Sequence, residues 1–122
     1  MSTPTSDFVA LCNTDDVWEG AALRVHAPCF PPLAVFNLEG EFFVMDDRCT
    51  HGDASLSEGY IENGEIECPY HQGRFCIRTG EPRAQPCEVA MKVYPVQVVG
   101  GRVCISKPQS AAPIGSNTGE SL

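Results

Sequence analysis

Apolar residues recur along the chain in short or alternating runs, broken by Gly, Pro and Asn. That is the period-two pattern of β-strands rather than the 3.6-residue period of amphipathic helices. It predicts strands over 8–12, 21–26, 33–38, 41–45, 65–68, 73–77, 93–99 and 103–106, arranged in small antiparallel sheets. Asn37-Leu38-Glu39-Gly40 predicts a hairpin between the third and fourth of these, and Gly100-Gly101 one between the last two. Glycine supplies the positive φ that tight hairpin turns demand. Thr14-Asp15-Asp16, ahead of Val17-Trp18, suits the cap of one short helical turn. The segment 108–122 is small, polar and unpatterned and reads as a loose tail. The expected fold class is all-β.

Two strings between the predicted strands carry the chemistry. Cys49-Thr50-His51 and Cys68-Pro69-Tyr70-His71 together read C-x-H-x16-C-x2-H. Each supplies one soft thiolate and one imidazole from a loop, and a rigid sheet beneath such loops can hold their bases while the tips reach a metal. This divides one domain over 1–107 into a base, about 7–45 and 85–107, and an inserted ligand-bearing lobe, about 46–84. Two Cys and two His also make a structural zinc site, but zinc modules usually pair like with like. Here Cys and His are interleaved, so each loop can direct its thiolate to one iron and its imidazole to another. From the residues alone both metals stay open. His26, in Leu23-Arg24-Val25-His26, reads as an ordinary strand side chain. Cys12, Cys76 and Cys104 read as small buried residues, and Cys29 and Cys87, beside prolines, as exposed thiols.

Composition narrows the classes further. A chain of 122 residues forms one small domain whose core is marginal without a bound cofactor. Hydrophobic content of 43% with 20% charged residues fits a folded globular chain. No apolar run approaches the roughly 18–20 residues that cross a bilayer, and residues 1–6 lack the basic and apolar regions of an export signal. A cytoplasmic location without membrane contact is expected. Seven cysteines is an odd number, which with no export signal favours reduced thiols, two of them ligands, over a disulfide scaffold. Net charge is -8, so a nucleic-acid partner is not expected. The charge is concentrated. Nine acids (Glu39, Glu41, Asp46, Asp47, Asp53, Glu58, Glu62, Glu65, Glu67) stand against Arg48 alone between positions 39 and 67. The next stretch, 68–92, has four bases and two acids, so the two strings differ in electrostatic surroundings.

Cys49-Thr50-His51-Gly52-Asp53 followed by Cys68-Pro69-Tyr70-His71-Gln72-Gly73-Arg74-Phe75 resembles the Rieske-type [2Fe-2S] ferredoxins that serve bacterial aromatic-ring-hydroxylating dioxygenases. The resemblance extends over about 7–107 and includes Asp47-Arg48, Thr79-Gly80, Pro86-Cys87-Glu88 and Val93-Tyr94-Pro95-Val96. It implies a Rieske fold with one [2Fe-2S] cluster. Cys49 and Cys68 would bind the buried iron, and His51 and His71 the outer iron. Residues 83–87 resemble the proline-containing loop that covers the cluster on a third side. Respiratory Rieske proteins carry an extra Cys in each ligand loop. Ala54 and Tyr70 stand at those positions here, so no bridge forms. Fewer hydrogen-bond donors and an acidic neighbourhood point to the low end of the Rieske range, about -150 mV.

By the same resemblance the chain is a soluble one-electron carrier rather than an enzyme. It would take electrons from an NAD(P)H-dependent flavoprotein reductase and pass them to a terminal Rieske oxygenase in aromatic compound degradation, through the edges of His51 and His71. The alternatives are a Rieske small subunit of a nitrite-reductase-type enzyme and a structural zinc module.

Overall fold

The computed structural model describes residues 8–50, 54–69, 73–84 and 89–106. Among these residues it is nearly all β, as expected, with eleven strands and two 3-10 turns. The strands are β1 (Phe8–Asn13), β2 (Ala22–Val25), β3 (Leu33–Leu38), β4 (Glu41–Asp46), β5 (Tyr60–Glu62) and β6 (Glu65–Glu67). There follow β7 (Arg74–Cys76), β8 (Pro82–Ala84), β9 (Val93–Tyr94), β10 (Val96–Val99) and β11 (Arg102–Ser106). They make three antiparallel sheets in the orders β1-β11-β10, β2-β3-β4-β9 and β5-β6-β7-β8.

The sheet β2-β3-β4-β9 is covered on both faces, and β3 shows why. Its residues Leu33 and Val35 enter one core with Val17, Val44, Val103 and Ile105, facing the sheet that holds β11. Ala34 and Phe36 enter the other core with Met45, Ile66, Phe75 and Ile77, facing the sheet that holds β6 and β7. Successive strand residues point to opposite faces, so burial on both faces demands a continuous apolar run rather than alternation. Leu33-Ala34-Val35-Phe36 is that run, and each of the four is fully buried.

Both expected hairpins form. Glu39 and Gly40 take φ 55° and 89° between the paired residues Leu38 and Glu41, and Gly100 and Gly101 take 59° and 79° between Val99 and Arg102. The chain makes one further hairpin, in which β5, not among the expected strands, precedes β6, which falls in the expected strand 65–68. Asn63 (φ 54°) and Gly64 (φ 76°) turn β5 into β6. Asn-Gly is a strong hairpin signal, but Tyr60-Ile61-Glu62 does not alternate apolar and polar as Glu65-Ile66-Glu67-Cys68 does around the equally short β6. β8 opens on Pro82, which reads as a strand breaker but which an edge strand tolerates because it need not donate to the ladder. The expected strand 93–99 divides at Pro95: β9 pairs with β4 and β10 with β11, so the chain changes sheets there. Thr14–Asp16 forms the expected helical turn, with Asp16 Oδ2 accepting from the Asn13 N–H at 2.9 Å.

Candidate metal centre

Cys49 lies just beyond β4 and Cys68 just beyond β6, on two loops built alike. The Cys49 N–H donates to the Ala54 carbonyl at 3.0 Å, and the Cys68 N–H to the Gly73 carbonyl at 2.7 Å. Each bond closes a six-residue loop with the cysteine as its first member. The thiols are withdrawn from solvent, at 3% and 0% exposure, and share one core cluster with Phe36, Met45, Leu56, Ile66 and Phe75. His51 and His71, the imidazole half of the expected donor set, lie outside the described residues, as do Gly52, Tyr70, Gln72 and most of the 83–87 loop.

The first loop is tied down at its ends by Asp47. This carboxylate is buried to 3% exposure and accepts from the Ser55 hydroxyl and, at 2.8 Å, from the Ser57 N–H. Arg24 on β2 places Nε 3.4 Å from the same carboxylate and Nη2 3.1 Å from Glu58. A buried N–H that loses its acceptor costs about 1–3 kcal/mol, so the carboxylate at position 47 matters to this corner. Further along, the Thr50 hydroxyl donates to the Val89 carbonyl at 2.7 Å, fastening the loop to the segment that follows residues 85–88. Met91 then donates its N–H to the Gly80 carbonyl at 2.8 Å. Gly80 is at φ +81°, and a Cβ there would stand 2.4 Å from the Met91 carbonyl oxygen; both the turn and the close approach require glycine.

Gly59 has a role that its sequence context hides. It reads as a turn residue, yet a Cβ there would lie 1.9 Å from the Glu67 carbonyl oxygen. It is the point where the segment trailing the first loop meets the residue before Cys68.

Folding also redistributes the charge. Arg74 pairs with Glu67 at 3.0 Å, Glu62 at 3.3 Å and Glu65 at 3.6 Å, and Arg78 with Glu41 at 3.0 Å. With Arg24 on Asp47 and Glu58, six of the nine acids between 39 and 67 meet a guanidinium from outside that stretch. The two strings therefore differ less in their electrostatic surroundings than their segments suggest. The solvent-exposed pairs among these add little stability, but together they shorten the reach of the acidic field.

Among the other cysteines, Cys104 is buried as expected, whereas Cys12 and Cys76 are half-buried. Burial, helped by Asp16 and Cys104, pushes the Cys12 thiol up to about 11. Burial also raises the Cys76 thiol, but hydrogen bonds from Thr79, Arg83 and the Arg78 backbone outweigh it and leave the group below its ordinary value. Cys29 is exposed, Cys87 lies outside the described residues, and His26 is exposed just past β2.

Two buried thiols brought into one apolar core cluster by matched loops suit a soft metal centre, and the Rieske [2Fe-2S] domain model matches residues 7–95. The chain belongs to the Rieske [2Fe-2S] family. The cofactor of that family is a Rieske-type [2Fe-2S] cluster, and the paired thiols fit its Cys-bound iron. The ferredoxin component of the p-cumate 2,3-dioxygenase system of Pseudomonas putida is 50% identical over 101 residues, 82% of this chain and 86% of that protein. The solved Sphingomonas yanoikuyae B1 ferredoxin superposes with a TM-score of 0.80 at 45% identity, over 82% of this chain and 98% of its own. A ferredoxin solved in a complex of reduced oxygenase and oxidized ferredoxin of carbazole 1,9a-dioxygenase matches at 39% identity and a TM-score of 0.77, covering 82% and 93%. Structures described as nitrite reductase small subunits match at 23% and 19% identity, a likeness of fold alone.

Proposed function

We propose that this Rieske protein is a one-electron carrier of an aromatic-ring dioxygenase system, accepting electrons from an NAD(P)H-dependent flavoprotein reductase and delivering them to a terminal oxygenase. Cys49 and Cys68 would hold one iron of the cluster, and His51 and His71 the other. When bound, the cluster takes up and releases one electron at a time. The observation that carries this reading is the pair of matched loops, each closed by a cysteine N–H on the fifth residue beyond it, with both thiols in one core cluster. The relatives support the system: they are ferredoxin components of dioxygenases, one of them solved with its oxygenase.

The protein's own residues do the rest. The Cys49 and Cys68 thiols, buried in one core cluster, would hold their iron away from water. His51 and His71, two and three positions further along the chain, would hold the other iron, and both partners would dock in turn. Such redox encounters are small and quickly reversible. We read residues 46–84 as the cluster-binding lobe on a base of 7–45 and 85–107, and the protein as cytoplasmic. Among the described residues no helix is long and apolar enough to cross a membrane.

The experiment is spectroscopic. Purified protein should show the visible absorption and reduced-state EPR of a Rieske centre, and His51→Cys or His71→Cys should abolish that signature. An unchanged spectrum in either variant overturns the ligand assignment, and a colourless protein holding zinc overturns the function with it. Electron delivery is then tested by turnover with a dioxygenase reductase and oxygenase, which should cease when the protein is left out.

A further inference from the structure

Asp47 is the only buried carboxylate among the described residues, and it stands two positions before Cys49. Its bonds reach both ends of the loop that Cys49 opens. On the leading side its N–H donates to the Pro32 carbonyl at 2.9 Å, anchoring residue 47 to the start of β3. On the trailing side its carbonyl accepts from the Leu56 N–H at 2.7 Å, and its carboxylate accepts from the Ser55 hydroxyl and the Ser57 N–H. Arg48 and Ser55 form a β-bridge between the same two sides. Leu56, so held, is buried in the cluster that contains Cys49 and Cys68. The second loop is fastened differently: at its base Glu67 meets Arg74 at 3.0 Å, and both side chains are partly exposed.

We propose that Asp47 is a positioning residue for the first iron-binding loop: it clamps the chain on either side of residues 49–54 and so fixes the Cys49 thiol beside Cys68. The inference rests on Cys49 being a cluster ligand. Backbone pairing alone could close the loop, and burying a full charge is costly unless it is hydrogen-bonded and paired. The carboxylate here has donors on both oxygens and Arg24 alongside. A neutral residue could not hold that guanidinium as an ion pair. The same fixed negative charge, close to the loop, disfavours an added electron on the cluster.

The test uses the full chain with its cluster, comparing wild type with Asp47→Asn, Asp47→Ala and Cys49→Ser. It reads iron and sulfide per chain, the rate of bleaching under an iron chelator, the reduced-state EPR spectrum and the midpoint potential. Asp47→Ala should bleach at least tenfold faster than wild type. Asp47→Asn keeps the shape and part of the hydrogen bonding, so it should stay within about threefold of wild type in bleaching while its potential moves upward, a change that a purely structural role does not produce. Wild-type bleaching in Asp47→Ala, or an unmoved potential in Asp47→Asn, overturns the assignment. Where Asp47→Ala fails to fold, Ser55→Ala decides: several-fold faster bleaching supports the clamp, and the wild-type rate overturns it. Cys49→Ser retaining a full Rieske spectrum overturns the ligand reading instead. Cys49→Ser without a cluster, beside an unaffected Asp47→Ala, overturns the positioning role alone.

Discussion

Replacing Gly59 by alanine tests whether the two cysteine loops share one rigid base. At Gly59 φ is -85° and ψ -162°, extended backbone that alanine adopts without strain, so the perturbation is purely steric. The new Cβ would lie 1.9 Å from the Glu67 carbonyl oxygen, 3.1 Å from its carbon and 3.3 Å from the Leu56 oxygen, where real Cβ contacts essentially never fall below 3.0 Å. Something must move by about 1.1 Å, and every atom in the way is backbone. Neither side yields easily. The Gly59 N–H is bonded to Leu56 at 2.9 Å, and Glu67 is paired with Tyr60 across β5 and β6. Overpacking of this kind costs about 1–3 kcal/mol, and a backbone obstacle places it near the upper end. For a domain of about 100 residues, a loss of about 3 kcal/mol lowers Tm by roughly 12–24 °C. Because Glu67 precedes Cys68, the iron content per chain should fall as well. Circular-dichroism melting with an iron assay reads both effects. Gly64→Ala is the control: at φ +76° with open space around it, it should cost about 1–2 kcal/mol and leave the iron content intact. A Gly59→Ala protein melting within a few degrees of wild type with a full cluster would refute the reasoning.

Tyr94 and the two half-buried thiols give further expectations. Burial and the 2.6 Å hydrogen bond to Asp46 raise the Tyr94 hydroxyl above its ordinary value of 10.0. Its neutral form thus stabilises the fold fully below pH 10, and that stability is lost as pH rises further, because the unfolded chain ionises first. Urea titrations at pH 9 and 11 should show wild type losing more stability than Tyr94→Phe, by at most ~1.4 kcal/mol before solvent screening reduces it; equal losses would count against the Asp46 contact. Cys12, raised from 9.0 to about 11, should resist iodoacetamide at pH 8, whereas Cys76 beside Arg83 should label before it. Peptide mapping that finds the reverse order would contradict the assigned surroundings. By the same linkage Cys12 stabilises the fold below pH 9 and ceases to do so as pH passes 11.

What could be read along the chain was local. The Glu39-Gly40 and Gly100-Gly101 turns are stated by neighbouring residues, and the structure realises both. Leu33-Ala34-Val35-Phe36 already had the continuous apolar character of a strand buried on both faces. Asn63-Gly64 carried a hairpin signal as well, but Tyr60-Ile61-Glu62 does not alternate and Pro82 reads as a strand breaker, so β5 and β8 were not legible. Gly59 was not legible as a close approach, because its obstacle, Glu67, arrives from another strand. Asp47 was legible only as part of the family resemblance. Its work depends on Arg24, Ser55 and Ser57, brought together by folding.

The amino-acid sequence by itself determined the chemistry and the class: two Cys-His strings at fixed spacing, strand periodicity and the family they imply, since ligand type and local pattern are properties of neighbouring residues. The tertiary structure decided how that chemistry is held. It placed both thiols in one dry core, set a buried carboxylate across the first loop and brought Arg24, Arg74 and Arg78 onto acids that the sequence leaves unopposed. Those outcomes depend on contacts between strands far apart in the chain, and no local pattern encodes them.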